Sequence, residues 1–271
     1  MQIKAVILAA GRGSRLCPLT PFLPKEMLPL GGLPAFHHVL QEVADVGVTE
    51  VMAVIAKGKE LVREYCSKPI APKGALATRL SKERERLLSK MHISFVYQRS
   101  LNGTADAILL AKEFAGKYPL LVVYPDDLIT LTSEDRGVEE LRLMASQTMS
   151  VGHSCILCRE IPRDAACNYG VPRLKEQRPD GFYPVEGIVE KPTDWREEKA
   201  CAMIGRMILT PSLLSRIPTL PRNDRDGIIP ALNEAAMEGE LAALIHCGSH
   251  WDIGSHLGYL EAAASCQKRE E

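Results

Sequence analysis

The sequence predicts an α/β fold with a mostly parallel central sheet, helices on both of its faces and a smaller β-region toward the C-terminus. Three observations predict it. An apolar run, Ala5-Val6-Ile7-Leu8-Ala9-Ala10, leads directly into a glycine-rich loop. Short β-branched runs then alternate with helical patterns through the first half, a rhythm that implies parallel strands covered on both faces. The second half carries strand-like runs separated by turns. With 271 residues, 46% hydrophobic and 25% charged, the chain can bury a sizeable core.

Residues 3–9 read as a buried first strand. Pro34 to Val46 reads as a helix, with proline at its start and Gly47 past its end. Val51 to Ile55 and Ile93 to Tyr97 are further strands, Thr104 to Phe114 a helix and Leu120 to Tyr124 a strand. Residues 78–90, TRLSKERERLLSK, are helical in pattern and read as a solvated charged face. Strands follow at about 153–160, 182–190 and 201–209, with a turn at Pro179-Asp180-Gly181. Asp226 to Met237 and Gly254 to Ala264 read as helices. There is no internal repeat or low-complexity linker, so one domain over 1–271 is expected.

Composition excludes several classes. A formal net charge of -1 gives no global field for nucleic acid or an anionic membrane. No apolar run approaches a membrane span, and the N-terminal run lacks the form of a secretory signal. Eight cysteines without a framework fit a reducing cytosol, so a cytoplasmic protein is expected. Cys155 and Cys158 lie three apart in a strand-like run and should face opposite sides, which argues against a redox pair or zinc knuckle.

Basic residues must therefore act locally. In Leu8-Ala9-Ala10-Gly11-Arg12-Gly13-Ser14-Arg15-Leu16, small residues follow a strand, where ligands bind in open α/β sheets. Glycines let backbone N–H groups approach an anion. Arg15 and Lys25, the latter in Pro24-Lys25-Glu26-Met27-Leu28-Pro29, can neutralise phosphate as a fork and a point charge. The loop is neither a Walker A motif nor a dinucleotide fingerprint. Gln98 offers an acceptor and donors that can pair with the N3–H and a carbonyl of a pyrimidine; a polar strand end before a helix cap at Thr104 is the plainer reading. In Tyr124-Pro125-Asp126-Asp127 the carboxylates emerge at a strand end as hard oxygen donors suited to Mg²⁺, though paired aspartates also form turns. Asp252, in Trp251-Asp252-Ile253-Gly254, offers a second carboxylate. Gly187-Ile188-Val189-Glu190-Lys191-Pro192, taken alone, is more readily a solvated strand end.

Together these segments resemble the nucleotide sugar pyrophosphorylases, and the resemblance runs through nearly the whole chain. It implies a Rossmann-like nucleotidyltransferase fold, Mg²⁺ dependence and a homo-oligomer, dimer or tetramer. It assigns nucleotide binding to Leu8, Ala9, Ala10, Gly11, Gly13, Gln98 and Gly103, and catalysis to Arg15, Lys25 and Lys191. It gives the metal to Asp126 and Asp252, and the sugar phosphate to Gly170, Glu190 and Lys191, within Asn168-Tyr169-Gly170-Val171 and the Glu-Lys-Pro segment. Gly205 matches a weaker position. Residues up to about 150 would form the nucleotide-binding core and about 151–271 the sugar-phosphate part. The 78–90 stretch resembles an insertion of the uridylyltransferases, which points to UTP, with glucose 1-phosphate as the partner substrate. A thymidylyltransferase is the near alternative. A non-catalytic nucleotide-sugar sensor is the distant one, and the presence of Arg15, Lys25 and Asp126 weighs against it.

Three positions depart from the family pattern: Ser14 stands for threonine, Pro21 for lysine, and Asp226-Gly227-Ile228-Ile229 lacks the usual polar residues. The implied reaction is in-line displacement at the α-phosphorus. A phosphate second pKa of about 6 leaves the sugar phosphate mostly dianionic, so no general base is needed. His37, His38 and His250 then read as core or surface residues. Ser14 and Cys17 have no base spaced to activate them.

Overall fold

A computed structural model describes residues 3–131, 135–217 and 227–267. In the first half, β1 (Lys4–Ala9), α1 (Ala35–Val46), β2 (Glu50–Ile55), α2 (Glu60–Ser67), α3 (Ala75–Leu88), β3 (His92–Tyr97), α4 (Thr104–Leu109), α5 (Lys112–Ala115) and β4 (Leu120–Val123) follow one another. The second half contributes α6 (Gly137–Val151), β5 (Ser154–Pro162), β6 (Gly170–Leu174), β7 (Tyr183–Glu190), β8 (Lys199–Leu209), α7 (Pro211–Arg216), α8 (Ile229–Met237), β9 (Leu241–Ile245) and α9 (His256–Gln267).

These nine strands join one sheet, in the order β3-β2-β1-β4-β8-β5-β9-β7-β6. β1, β2, β3 and β4 are mutually parallel, as are β5 and β9. β8 runs against β4 and β5, and β7 runs against β9 and β6. Only β7 and β8 in this sheet thus oppose the common direction, and the sheet is mostly parallel, as the alternation of strands and helices implied.

Alternation along each strand divides the core into two layers. Ile7 and Ala9 pack with Phe36, Val39 and Leu40 of α1 on one face. Val6 and Leu8 pack with Ile108, Leu209, Leu213 and Leu232 on the other. Cys155 and Cys158 fall in opposite layers, as their spacing requires. Arg206 of β8, fully buried, meets Glu42 of α1 at 2.6 Å and bonds the Tyr124 carbonyl at 3.0 Å, which fixes α1 beneath the end of β4.

Several boundaries differ from the sequence pattern. The helix expected over Thr104–Phe114 is two pieces, because Ala111 bonds back to Ile108 at 2.9 Å and turns the chain so that Ala111 and Ala115 both reach the core. Here packing overrides an unbroken helical pattern. The charged helix is not wholly solvated. Arg79, Lys82 and Arg86 are exposed, but Arg84 is buried and donates to the carbonyls of Tyr65 (Nε, 2.7 Å) and Lys68 (2.8 Å), closing the C-terminus of α2. The last helix begins at His256, and the N-terminal residues expected for α8 include Asp226, which lies outside the described residues. Among the described residues no helix is long and apolar enough to cross a membrane.

Candidate active site

The site lies beyond the ends of β1, β3 and β4. After Ala10 the chain turns through Gly13, whose φ of 67° is left-handed. A Cβ there would lie 2.8 Å from Thr20 Cγ2, and the Gly13 carbonyl accepts from the Thr20 hydroxyl at 2.9 Å. The short turn Ser14–Leu16 presents Arg15, and a second turn, Lys25–Met27, presents Lys25. Beneath them Glu26, fully buried, accepts two bonds of 2.7 Å from Lys59. Lys59 went unmarked in the sequence because nothing local distinguishes it from a surface lysine.

Both cations meet carboxylates. Lys25 Nζ bonds Asp126 Oδ2, and Arg15 grips Asp252 at 2.6 and 3.2 Å. Burial pushes the Asp126 pKa up, but the Lys25 charge and hydrogen bond, the Asp126 backbone N–H and the Arg15 charge outweigh it and hold the group below the ordinary carboxylate value. Burial lowers the Lys25 pKa, but the charges of Asp126 and Glu26 raise it more. The two acids come together because the two-residue strand Asp127–Leu128 pairs with Trp251–Asp252, and Ile253 N–H bonds the Asp126 carbonyl at 2.9 Å. Gly254 leaves the space between them open. A Cβ there would lie 2.7 Å from Arg15 Nη2 and 2.9 Å from both Asp126 Oδ2 and Asp252 Oδ1. No cluster of three or more potential metal ligands occurs among the described residues. Two converging carboxylates fit a hard cation whose other positions are filled by phosphate and water, the usual Mg²⁺ arrangement.

A cavity of about 560 Å³ adjoins this group. Leu8, Ala10, Gly11, Arg12, Lys25, Gln98, Gly103 and Asp126 line it. Two residues assigned to the nucleotide are not on that wall. Ala9 points into the opposite core layer, because it alternates with Leu8 and Ala10, and Gly13 serves the turn instead. Gln98 also differs from expectation. Its Nε2 donates to the Gly103 carbonyl at 3.0 Å and to Asp106 Oδ2 at 2.8 Å, so its donors are taken and only Oε1 is left to face a ligand.

A second cavity, of about 340 Å³, shares Gly103, Thr104 and Tyr124 with the first and is lined by Asn168, Gly170, Glu190, Lys191 and Gly205. Glu190 and Lys191 are adjacent, so in a continuing strand they would face opposite sides. Lys191 instead takes φ 47°, the only described non-glycine residue with positive φ, and its N–H bonds the Tyr169 carbonyl at 2.9 Å. The turn brings its Nζ to 3.2 Å from Glu190 Oε1. Gly170 is close-packed, with a Cβ only 3.2 Å from Glu190 Oε2, and one at Gly205 would lie 2.6 Å from Asp127 Oδ2.

Asp127, the second of the paired aspartates, lines this second cavity. Arg159, a donor only, gives a 2.8 Å bond to His250 Nδ1, so the ring proton sits on Nε2 and is donated to Asp127 Oδ1 at 2.8 Å. His250 is thus an orienting residue. His37 is a core residue bonded to the Tyr65 hydroxyl at 2.9 Å; burial, then the charges of His38 and Arg84, lower its pKa to about 4. The Arg159–His250–Asp127 chain spans distant segments, and no spacing in the sequence announces it.

The nucleotidyl transferase family model matches residues 4–269. A putative UTP–glucose-1-phosphate uridylyltransferase of Bacillus subtilis (strain 168) is 30% identical over 276 residues, covering 99% of this chain and 98% of that protein. The UTP–glucose-1-phosphate uridylyltransferase of Streptococcus pneumoniae is 28% identical, covering 96% of this chain and 88% of its own. A crystal structure of UDP-glucose pyrophosphorylase complexed with UDP-glucose superposes with a TM-score of 0.87 at 28% identity, over 99% of this chain and all of the other. With this fold, this loop after β1 and a match over nearly its full length, the chain belongs to the nucleotidyl transferase family.

Proposed function

We propose that the chain transfers a uridylyl group from UTP to the phosphate of glucose 1-phosphate, releasing pyrophosphate. The observation that carries this reading is the pair of adjoining cavities with a shared wall, flanked by two cations and two carboxylates. The larger takes the nucleotide and the smaller the sugar phosphate. The names of the relatives and of the superposed structure support the choice of UTP and glucose.

Each residue has a task in this reading. Backbone at Gly11 and the cations Arg15 and Lys25 receive the triphosphate. Lys191 orients the sugar phosphate, and Glu190 and Asp127 accept from sugar hydroxyls. An already dianionic nucleophile needs no base, so rate comes from alignment and from charge stabilisation at the α-phosphorus and pyrophosphate. Asp126 and Asp252 would hold Mg²⁺, which supplies Lewis-acid charge to phosphate oxygens when bound. We assign the metal as Mg²⁺ because both donors are hard carboxylates.

Eight free thiols support a cytoplasmic setting. The exposed Leu257 and Leu260, neighbours on one face of α9, support a homo-oligomer, which sedimentation would check.

Pyrophosphate release from the purified chain, over a panel of nucleotides and sugar phosphates with Mg²⁺, tests the proposal. UTP with glucose 1-phosphate should be the best pair, with dTTP next and ATP and GTP poor. Release with no pair, or a purine preference, overturns it.

A further inference from the structure

An amide side chain is nearly symmetrical in shape but not in chemistry: one end donates, the other accepts. What Gln98 offers a base therefore depends on which way its amide is turned. Gln98 is 5% exposed, at the wall of the nucleotide cavity. The two protein groups that meet it are a backbone carbonyl, that of Gly103 at 3.0 Å, and a carboxylate, that of Asp106 at 2.8 Å. Both are acceptors. Turning the amide over would set its oxygen against two other oxygens and leave all three without a proton, which buried groups resist strongly.

We propose that Asp106 selects the base indirectly, by locking the Gln98 amide with Oε1 toward the nucleotide. The site then takes a base that presents a ring N–H, as uracil and thymine do at N3, and rejects one that presents a bare ring nitrogen, as cytosine does. The proposal rests on the nucleotide assignment made above and adds the group that enforces its selectivity. Asp106 does not touch the nucleotide in this scheme, since the residues that line the cavity do not include it. It is a positioning residue.

Local structure equips it for the task. Gly103, at φ 90°, ends the loop after β3, and Asp106 is the third residue of α4. Its carboxylate sits in the first turn, where the helix dipole favours negative charge. Among the described residues its side chain takes one hydrogen bond, the one from Gln98. Oε1 of Gln98 has no protein donor among the described residues, so it is available to accept from the base.

The test compares kcat/KM for UTP and CTP in the wild type, Asp106→Asn and Asp106→Ala, with thermal melts as a control. Asp106→Asn keeps the shape but gains a donor that can face Gln98 Oε1, so the amide can turn over. The UTP-to-CTP ratio should fall by about tenfold or more, as befits loss of a charge-assisted hydrogen bond, with CTP use holding or rising. Asp106→Ala should also lower the ratio, by less, because Gly103 still orients the amide. Parallel loss of both substrates, or an unchanged ratio in a folded Asp106→Asn protein, overturns the proposal. A wild type that does not favour UTP over CTP would instead overturn the uridylyl reading itself.

Discussion

The proposed nucleotide side and the proposed sugar side of the site hold their charges under opposite conditions. Lys25 and Asp126 are sealed together, with side chains 11% and 15% exposed, over the buried Lys59–Glu26 pair. Lys191 is 58% exposed, and its partner Glu190 is 3.2 Å away. A buried ion pair couples chemistry to folding, because removing one partner strands the other without solvent. A solvated pair is worth little to the fold, so its members can be tuned for ligand alone. The parallel strand ends thus form a rigid floor, and the antiparallel edge β7–β6 carries the more adjustable contacts.

Asp126→Ala should have the largest effect. Turnover should drop about 100- to 1,000-fold, and stability should drop by about 3–5 kcal/mol because Lys25 is left buried and unpaired. Steady-state rates and denaturant unfolding check both, and an unchanged midpoint would break the contrast between the two sides.

Asp252→Ala divides the two quantities. Its partner Arg15 is 60% exposed, so stability should change by under about 1 kcal/mol while turnover falls about 100-fold. Near wild-type rates across a magnesium titration would remove Asp252 from the metal pair.

Lys191→Ala should raise KM for the sugar phosphate about 10- to 100-fold, as expected for a lost charge-assisted bond. Calorimetry with UTP alone should show unchanged affinity. A large loss of UTP binding would mean that the two cavities are assigned the wrong way round.

The smallest effect concerns the segment that leads into Asp252. His246 Nδ1 bonds the buried Glu140, and its Nε2 faces the Ser249 carbonyl at 2.9 Å. Burial lowers the His246 pKa, but the bonds to Glu140 and Ser249 and the Glu140 charge raise it more, so the folded value lies above the usual one. The pair's contribution is therefore full below pH of about 6.5 and is lost as pH rises through the elevated folded value. Melts from about pH 6 to 9 should show the gap between wild type and His246→Gln narrowing with pH. A widening gap would contradict the charged pair.

What the sequence revealed and what it hid follow from locality. Gly11, Arg15, Lys25 and Gln98 sit in contiguous motifs after apolar strands, so their residue types and spacing were readable. The rhythm of β1 to β4 was equally legible. The Arg206–Glu42 bond joins residues 164 apart, and the Arg159–His250–Asp127 chain spans segments that meet only through sheet order. Nothing in a local window encodes either. The second half was harder for the same reason: β9 enters the sheet between β5 and β7, an insertion that no hydropathy pattern states. Gln98 is legible as a candidate base reader at a strand end, but the direction of its amide depends on Asp106 of the next helix.

The left-handed turn at Lys191 bears on how this protein would respond to selection in the laboratory. A β-carbon in that backbone region costs on the order of 1–3 kcal/mol, and glycine would relieve it at once. A library screened only for heat resistance should therefore enrich Lys191→Gly, and its winners would be robust proteins that have discarded the cation proposed to orient the sugar phosphate. Thermostable variants need to be sorted by turnover in the same round, since at this position the two properties pull in opposite directions.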